Sequence, residues 1–244
     1  MRIEAVLFDL DNTLTHRDLS VQAYSRHFLE HYSNRLNLKN TEQKQSDLNT
    51  IIDIIRRIDH GGYPKKELLT HPSIAASVGF ALLQELDWKQ APELDELTEF
   101  WFSEFGLSAV AMTGAEALLK QLKQRGFKLA VISNGGHATR LRILQGLGFA
   151  DYFDEILSSE LVGISKPKAE IFLYSCAKLQ VEPKYSLYIG DHPINDFQGA
   201  TDAGLNALLI LGFHEQVEHI PKEKTIHQLD EIWTHLGDES VSIL

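Results

Sequence analysis

Apolar runs alternate with helical patterns along much of the chain. Residues 5–8 form one unbroken apolar run, and mainly apolar runs follow at 127–132, 185–189 and 206–211, with a shorter strand pattern at 155–157. Such runs are typical of strands buried on both faces of a parallel sheet, and the stretches between them show helical spacing. We therefore predict an α/β fold, with a Rossmann-like parallel sheet in three α/β/α layers.

Residues 16–109 lack the strand pattern and show helical periodicity instead. Apolar stripes run through residues 21–36, 51–58, 65–86 and 94–105. A break rich in glycine and proline separates the second stripe from the third. We predict an all-helical cap inserted at 16–109 into an α/β core that consists of residues 1–15 and 110–244.

Local signals predict where two core helices begin. Thr113 with Glu116, and Thr225 with Gln228, have the spacing of a capping box, in which each side chain bonds to the other residue's backbone. The first of these helices is expected to end near Gly126, because glycine is the usual residue just beyond a helix.

Composition and charge narrow the possible functions. The chain has 244 residues, 43% of them hydrophobic, and a formal net charge of −11. This acidic balance argues against nucleic acid or an anionic membrane as the main partner, since both attract clustered Lys and Arg. Cys176 is the single cysteine, which excludes an intramolecular disulfide. With Glu4 and Asp9 where a signal peptide would be apolar, we expect a cytoplasmic protein.

Two aspartates follow the first predicted strand. Asp9 and Asp11 are two positions apart, so an extended chain would direct both carboxylates to the same side. Like charges this close repel unless a cation or a shared proton offsets them. The pair could form a hard-metal site or a nucleophile beside an acid/base, or it could be a solvated turn.

Polar residues also follow other predicted strands, and their order along the chain is informative. The stretches 8–13 (Phe-Asp-Leu-Asp-Asn-Thr), 132–135 (Ile-Ser-Asn-Gly), 163–167 (Gly-Ile-Ser-Lys-Pro) and 190–196 (Gly-Asp-His-Pro-Ile-Asn-Asp) resemble the four motifs of the haloacid dehalogenase superfamily, in order. The resemblance covers nearly all of the core, and the insert at 16–109 lies where this superfamily has its helical cap.

The resemblance implies roles for the aspartates at the strand ends. Asp9 is expected to be the nucleophile that forms an aspartyl-phosphate, and Asp11 the general acid that then becomes the general base. It also implies that Mg²⁺ is held by an Asp9 oxygen, the backbone carbonyl of Asp11 and Asp191, which is a set of hard oxygen ligands.

The resemblance also implies a group of residues that handle the phosphoryl oxygens. Ser133 and the backbone amide of Asn134 are expected to hydrogen-bond these oxygens, and Lys166 to add a positive charge beside them. Asp196 is expected to orient Lys166 or the metal-bound waters without binding the metal.

The acid at Asp11 favours phosphoryl transfer. The superfamily's dehalogenases lack it, because a halide leaving group needs no proton. We predict a Mg²⁺-dependent phosphatase that acts on a small phosphorylated metabolite. A phosphomutase of the same superfamily and a phospho-aspartate signalling switch are the alternatives. The substrate and the oligomeric state stay open.

Several polar residues remain without a predicted chemical role. In the insert, His16, Arg17, Arg56 and the loop at 60–63 could contact substrate, but we expect ordinary surface or hinge roles for them. We also expect Arg140 at the surface. We predict no zinc site from the 11 histidines.

Overall fold

The chain divides into two compact units. A computed structural model describes residues 2–236 apart from 216 and 218. The core unit contains residues 2–15, 111–144 and the described residues from 148 onward, and the helical unit contains His16–Val110 and Gln145–Leu147. No helix in the described part of the chain is long and apolar enough to cross a membrane.

One parallel sheet organises the core unit. Its described strands are β1 (Ala5–Phe8), β2 (Lys128–Ser133), β3 (Glu155–Ser158), β4 (Ser186–Gly190), β5 (Asn206–Ile210) and β6 (Thr225–Ile226). They lie in the order β3-β2-β1-β4-β5-β6, and each neighbouring pair is parallel. The predicted α/β class with a parallel sheet is confirmed.

Helices make up the helical unit and flank the sheet. In chain order they are α1 (Arg17–His31), α2 (Thr41–Asp59), α3 (Ile74–Glu85), α4 (Leu94–Glu104), α5 (Ala115–Gln124), α6 (His137–Leu147), α7 (Ser159–Val162), α8 (Ala169–Leu179) and α9 (Gly199–Asp202). A π-helical turn at Pro193–Gln198 leads into α9. Short 3-10 turns lie at Ser33–Arg35, His60–Gly62, Lys66–Leu68, Ala150–Tyr152, Pro183–Tyr185, Lys222–Lys224 and Leu229–His235.

Both capping-box predictions are wrong. Helix α5 begins after Gly114, whose backbone is left-handed at φ 82° and which has no side chain with which to cap the helix. Thr225 lies in β6, because its backbone pairs with Leu209 of β5. The capping box near the end of the described chain is formed instead by Gln228 and Glu231, and it begins a 3-10 helix.

The register of the central strands aligns their carboxyl ends. Phe8 of β1 pairs with Val131 of β2 and with Ile189 of β4. The polar residues that follow these strands therefore leave the sheet at one edge. The strand order reverses between β1 and β4, and in open α/β sheets the site lies in the crevice at such a reversal.

The helical unit has a hydrophobic core of its own. The ring of Tyr24 lies at its centre, with ring centroids of Trp101 at 5.1 Å, Phe105 at 5.4 Å and Phe100 at 5.9 Å. Residues from all four of its helices α1–α4 complete this cluster. Because the cluster draws only on residues 21–105, the unit does not depend on sheet residues for its core.

Arg17 is buried inside the helical unit, so the surface position that we considered for it is wrong. Its Nε and Nη2 donate to the two carboxylate oxygens of Asp59 at 3.0 and 2.6 Å, and its guanidinium lies 4.6 Å from the Phe105 ring centroid. The two side chains are 9% and 1% exposed. By contrast, Arg56 pairs with Asp18 in a half-exposed position.

The two ion pairs should differ in their contribution to stability. Asp59→Asn leaves a buried guanidinium without its charged partner, so it should lower the free energy of unfolding by about 3 kcal/mol. Asp18→Asn is the matched control and should cost less than about 1 kcal/mol, because solvent screens that pair. Urea unfolding of both variants measures the difference, and equal losses would contradict this account.

Candidate active site

Asp9 and Lys166 form a buried ion pair at the carboxyl end of β1. Lys166 Nζ donates to Asp9 Oδ1 at 2.5 Å, and the side chains are 3% and 5% exposed. Burial raises the pKa of Asp9 well above its ordinary value, while Lys166 opposes that rise. Burial would lower the pKa of Lys166, but Asp196 and Asp9 raise it to about 12. Lys166 is therefore a cation at neutral pH.

Asp196 fixes the other side of the Lys166 ammonium. Its Oδ1 accepts from Lys166 Nζ at 2.6 Å and from the Tyr188 hydroxyl at 3.0 Å, and its Oδ2 accepts from the His192 backbone amide at 2.9 Å. A Cβ at Gly190 would lie 2.4 Å from the Asp196 carboxyl carbon, so glycine is needed there. Asp196 is itself fully buried, and it holds the Lys166 ammonium in position.

Asn134 ties the loop after β2 to the backbone of Lys166. Its side-chain amide donates to the Lys166 carbonyl at 3.1 Å, and its side-chain oxygen accepts from the Lys166 amide at 2.9 Å. Ser133 is buried at the end of β2, directly before Asn134. The structure thereby gathers both predicted phosphate-binding loops, and it adds a positioning task for the Asn134 side chain that the sequence did not indicate.

Asp11 is paired with Arg140, which is not at the surface as we expected. Arg140 Nη1 donates to Asp11 Oδ2 at 2.8 Å, and Nη2 donates to the Asn134 carbonyl at 2.6 Å. The side chains of Arg140 and Asp11 are only 12% and 10% exposed. The prediction of a surface position was wrong because the sequence around α6 gives no sign that Asp11, which follows β1, contacts this arginine.

Asp191 follows β4, and its two carboxylate oxygens have different surroundings. Its Oδ2 lies 3.1 Å from Nε2 of His214, a residue that sequence reasoning missed. Its Oδ1 is buried and has no hydrogen-bond partner among the described residues. Next to it, His192 Nδ1 accepts from the amides of Ile194 and Asn195, so His192 caps the π-helical turn at Pro193–Gln198.

The aspartates at this edge fit a hard divalent cation. Asp9, Asp191 and Asp196 each offer an oxygen, and these oxygens lie within 4.8 Å of one another. Lys166 neutralises only part of that charge, and an unpartnered buried oxygen is costly unless a cation or proton meets it. Burial raises the pKa of Asp191. Carboxylate oxygens are the ligands that Mg²⁺ prefers.

A histidine pair that the sequence interpretation overlooked lies on α1. His27 and His31 are one helical turn apart, and their ring centroids lie 5.5 and 4.6 Å from that of Phe100. His27 Nε2 is 3.2 Å from a Glu104 oxygen. In the described part of the chain, one group of three or more His, Cys, Asp or Glu side chains is arranged so that it could bind a metal ion. This group consists of Asp9, Asp191 and Asp196 and does not include the histidine pair.

Mg²⁺ should stabilise the fold if the aspartates bind it. At about 100 times its Kd, a ligand that binds only the folded state adds about 2.7 kcal/mol, or roughly 5–10 °C in Tm for a chain of this size. Because burial raises the pKa of Asp9 and Asp191, protons should compete, and the shift should shrink as pH falls.

Thermal unfolding with and without Mg²⁺ measures this shift. Asp191→Asn should abolish it, whereas Asp151→Asn, at an exposed position of the core unit, should leave it unchanged. An identical Tm with and without Mg²⁺ in the unsubstituted protein would contradict the assignment.

Comparison with known proteins places these features in a family. A family model described as a haloacid dehalogenase-like hydrolase matches residues 3–204. The haloacid dehalogenase-like hydrolase domain-containing protein 3 of Mus musculus is 36% identical over 146 residues, 58% of this chain and 57% of its own length. The glyceraldehyde 3-phosphate phosphatase of Methanothermobacter thermautotrophicus is 37% identical over 92 residues, 38% of this chain and 41% of its own. The chain thus spans about half the length of the curated relatives it matches.

Solved structures show the same fold. The HAD-hydrolase YfnB from Bacillus subtilis, solved with bound magnesium, has a TM-score of 0.67 and 24% identity, and the match covers 98% of this chain and 100% of that one. The sheet order, the four motifs in sequence and a family match over most of the chain agree. The chain belongs to the haloacid dehalogenase-like hydrolases.

Proposed function

We propose that this chain is a Mg²⁺-dependent phosphatase that hydrolyses a small phosphomonoester through an aspartyl-phosphate on Asp9. One observation carries the proposal: the Asp9 carboxylate is buried against the Lys166 ammonium at the carboxyl end of β1. Asp11 lies two residues further on, and its Oδ2 accepts a hydrogen bond from Arg140 Nη1 at 2.8 Å, so Oδ1 is the oxygen that carries the proton. The relative named glyceraldehyde 3-phosphate phosphatase supports this class of substrate.

In the first half-reaction Asp9 attacks phosphorus. A bond forms between an Asp9 carboxylate oxygen and phosphorus while the bond from phosphorus to the leaving oxygen breaks. Asp11 transfers a proton to that leaving oxygen, which departs as an alcohol. Lys166 offsets negative charge on the transferring group from its place between Asp9 and Asp196.

In the second half-reaction water removes the phosphoryl group. Asp11, now a carboxylate, takes a proton from the attacking water, and the bond between phosphorus and Asp9 breaks to release inorganic phosphate. Ser133 and the backbone amide of Asn134 hold phosphoryl oxygens in both halves. The enzyme returns to its starting protonation state.

Asp9 and Asp191 would hold Mg²⁺, together with the backbone carbonyl of Asp11. When bound, the ion cancels charge between the Asp9 carboxylate and the phosphate, so that one anion can attack another. Asp196 stays with Lys166, because both of its oxygens already accept hydrogen bonds.

The roles of Asp9 and Asp11 should separate under covalent labelling. Asp9→Asn removes the nucleophile, so rapid quench after ³²P-acetyl phosphate and Mg²⁺ should find no labelled protein. Asp11→Asn keeps the nucleophile but loses the base for water attack, which should slow loss of label by about 10²–10⁴-fold. Asp11→Asn should therefore accumulate label. Label on Asp9→Asn, or none on Asp11→Asn, would contradict the assignment.

We also propose that residues 16–109 act as a cap domain that selects the substrate. The core residues named above act on the phosphoryl group, which every phosphomonoester shares. The helical unit has its own core, and the core unit joins the ends of the insert, since Thr15 bridges to Ala111 and the Met112 amide donates to the Leu14 carbonyl at 2.8 Å.

Removing the insert tests this proposal. A variant that joins residue 15 to residue 110 through a short linker should keep the α/β fold by circular dichroism and should still turn over p-nitrophenyl phosphate. Its rates across a panel of small phosphorylated metabolites should become more uniform. The same order of preference as in the full chain would show that the core chooses the substrate.

A further inference from the structure

Arg140 is a largely buried cation that contacts the proposed acid/base. Its Nη1 donates to Asp11 Oδ2 at 2.8 Å, and 129 positions separate the two residues in the sequence. Their side chains are 12% and 10% exposed, so solvent screens the pair only weakly. A charge-assisted bond of this kind is shorter and stronger than a neutral one, and it fixes one carboxylate oxygen in place.

Arg140 is itself held by the loop after β2. Its Nη2 donates to the Asn134 carbonyl at 2.6 Å. A Cβ at Gly135 would lie 2.4 Å from that same Nη2, so the absence of a side chain there makes room for the guanidinium. The Asn134 side chain in turn bonds the backbone of Lys166 at both its amide and its carbonyl.

These bonds form one connected path between the catalytic groups. The path runs from Asp11 through Arg140 and Asn134 to Lys166, whose ammonium bonds Asp9. A proton donor must meet the leaving oxygen in a defined direction, and misplacement by about 1 Å can cost about 10²-fold in rate. A carboxylate fixed at one oxygen has fewer orientations available than a free one.

We propose that Arg140 is a positioning residue that orients Asp11 for proton transfer to and from the substrate. This inference rests on the proposed phosphatase function. It assigns Arg140 no contact with substrate, so the arginine acts only through the Asp11 carboxylate. A purely structural ion pair would stabilise the fold without altering how the reaction depends on its leaving group.

Two aryl phosphates with different leaving groups test the role of Arg140. In the full-length protein with Mg²⁺, kcat/KM reports on steps through phosphoryl transfer. Phenyl phosphate needs the proton from Asp11 more than p-nitrophenyl phosphate does, because phenolate is the more basic leaving group. Arg140→Ala should lower kcat/KM for phenyl phosphate by about tenfold or more relative to p-nitrophenyl phosphate, a fraction of the full acid/base effect. Loss of binding or of folded protein would lower both equally.

Controls separate the position of the charge from its presence. Arg142→Ala removes the same charge two residues along α6 and should leave the ratio of the two kcat/KM values unchanged. Arg140→Lys keeps the charge, but one ammonium cannot reproduce the two divergent bonds, so its ratio should be intermediate. If Arg140→Ala does not fold, the ratio of the two kcat/KM values in Arg140→Lys tests the positioning role instead.

A double-mutant cycle completes the test. In an Asp11→Asn background, Arg140→Ala should cause no further change in the ratio, because the residue through which it acts is gone. An unchanged ratio in both Arg140 variants, or the same loss with and without Asp11, would overturn the positioning role. A wild-type protein that turns over neither aryl phosphate would overturn the proposed function, and this role with it.

Discussion

The rest of the site depends on the two ion pairs that the Lys166 ammonium makes with Asp9 and Asp196. Buried carboxylates carry large desolvation costs that only close, well-directed partners offset. Lys166 supplies that partner to both aspartates within 2.6 Å, and the Tyr188 hydroxyl adds a further bond to Asp196. The same arrangement that makes the buried charges tolerable also places a permanent cation beside the proposed nucleophile, so stability and chemistry share one contact.

The sheet delivers these groups to one place, and loops connect them. The register of β1 with β2 and β4 brings Asp9, Ser133 and Asp191 out at the same edge. Parallel pairing alone would leave each side chain on an independent loop. Asn134 removes that freedom by making two hydrogen bonds to the Lys166 backbone. Because Gly190 has no side chain, Asp196 can pack directly against the end of β4.

Local patterns predicted the sheet, because buried parallel strands need continuous apolar runs, and polar residues at their ends marked where Asp9 and Asp191 would lie. The pairing of Arg140 with Asp11 was not predictable, since a partner 129 positions away leaves no local signal. Tyr188 gave a weak local signal, because a tyrosine hydroxyl in a buried strand needs a hydrogen-bond partner. In the structure that partner is Asp196. Thr225 had the spacing of a cap, but pairing with β5 placed it in a strand.

A phosphate-release screen tests the central claim, that Asp9 beside Lys166 makes this site a phosphatase. The wild-type protein with Mg²⁺ would be incubated with a panel of small phosphorylated metabolites, in parallel with Asp9→Asn and with enzyme treated with excess EDTA. We expect inorganic phosphate from at least one phosphomonoester with the wild-type protein, and none above background from the variant or the chelated enzyme. No release from any member of the panel, or equal release by Asp9→Asn, would contradict it.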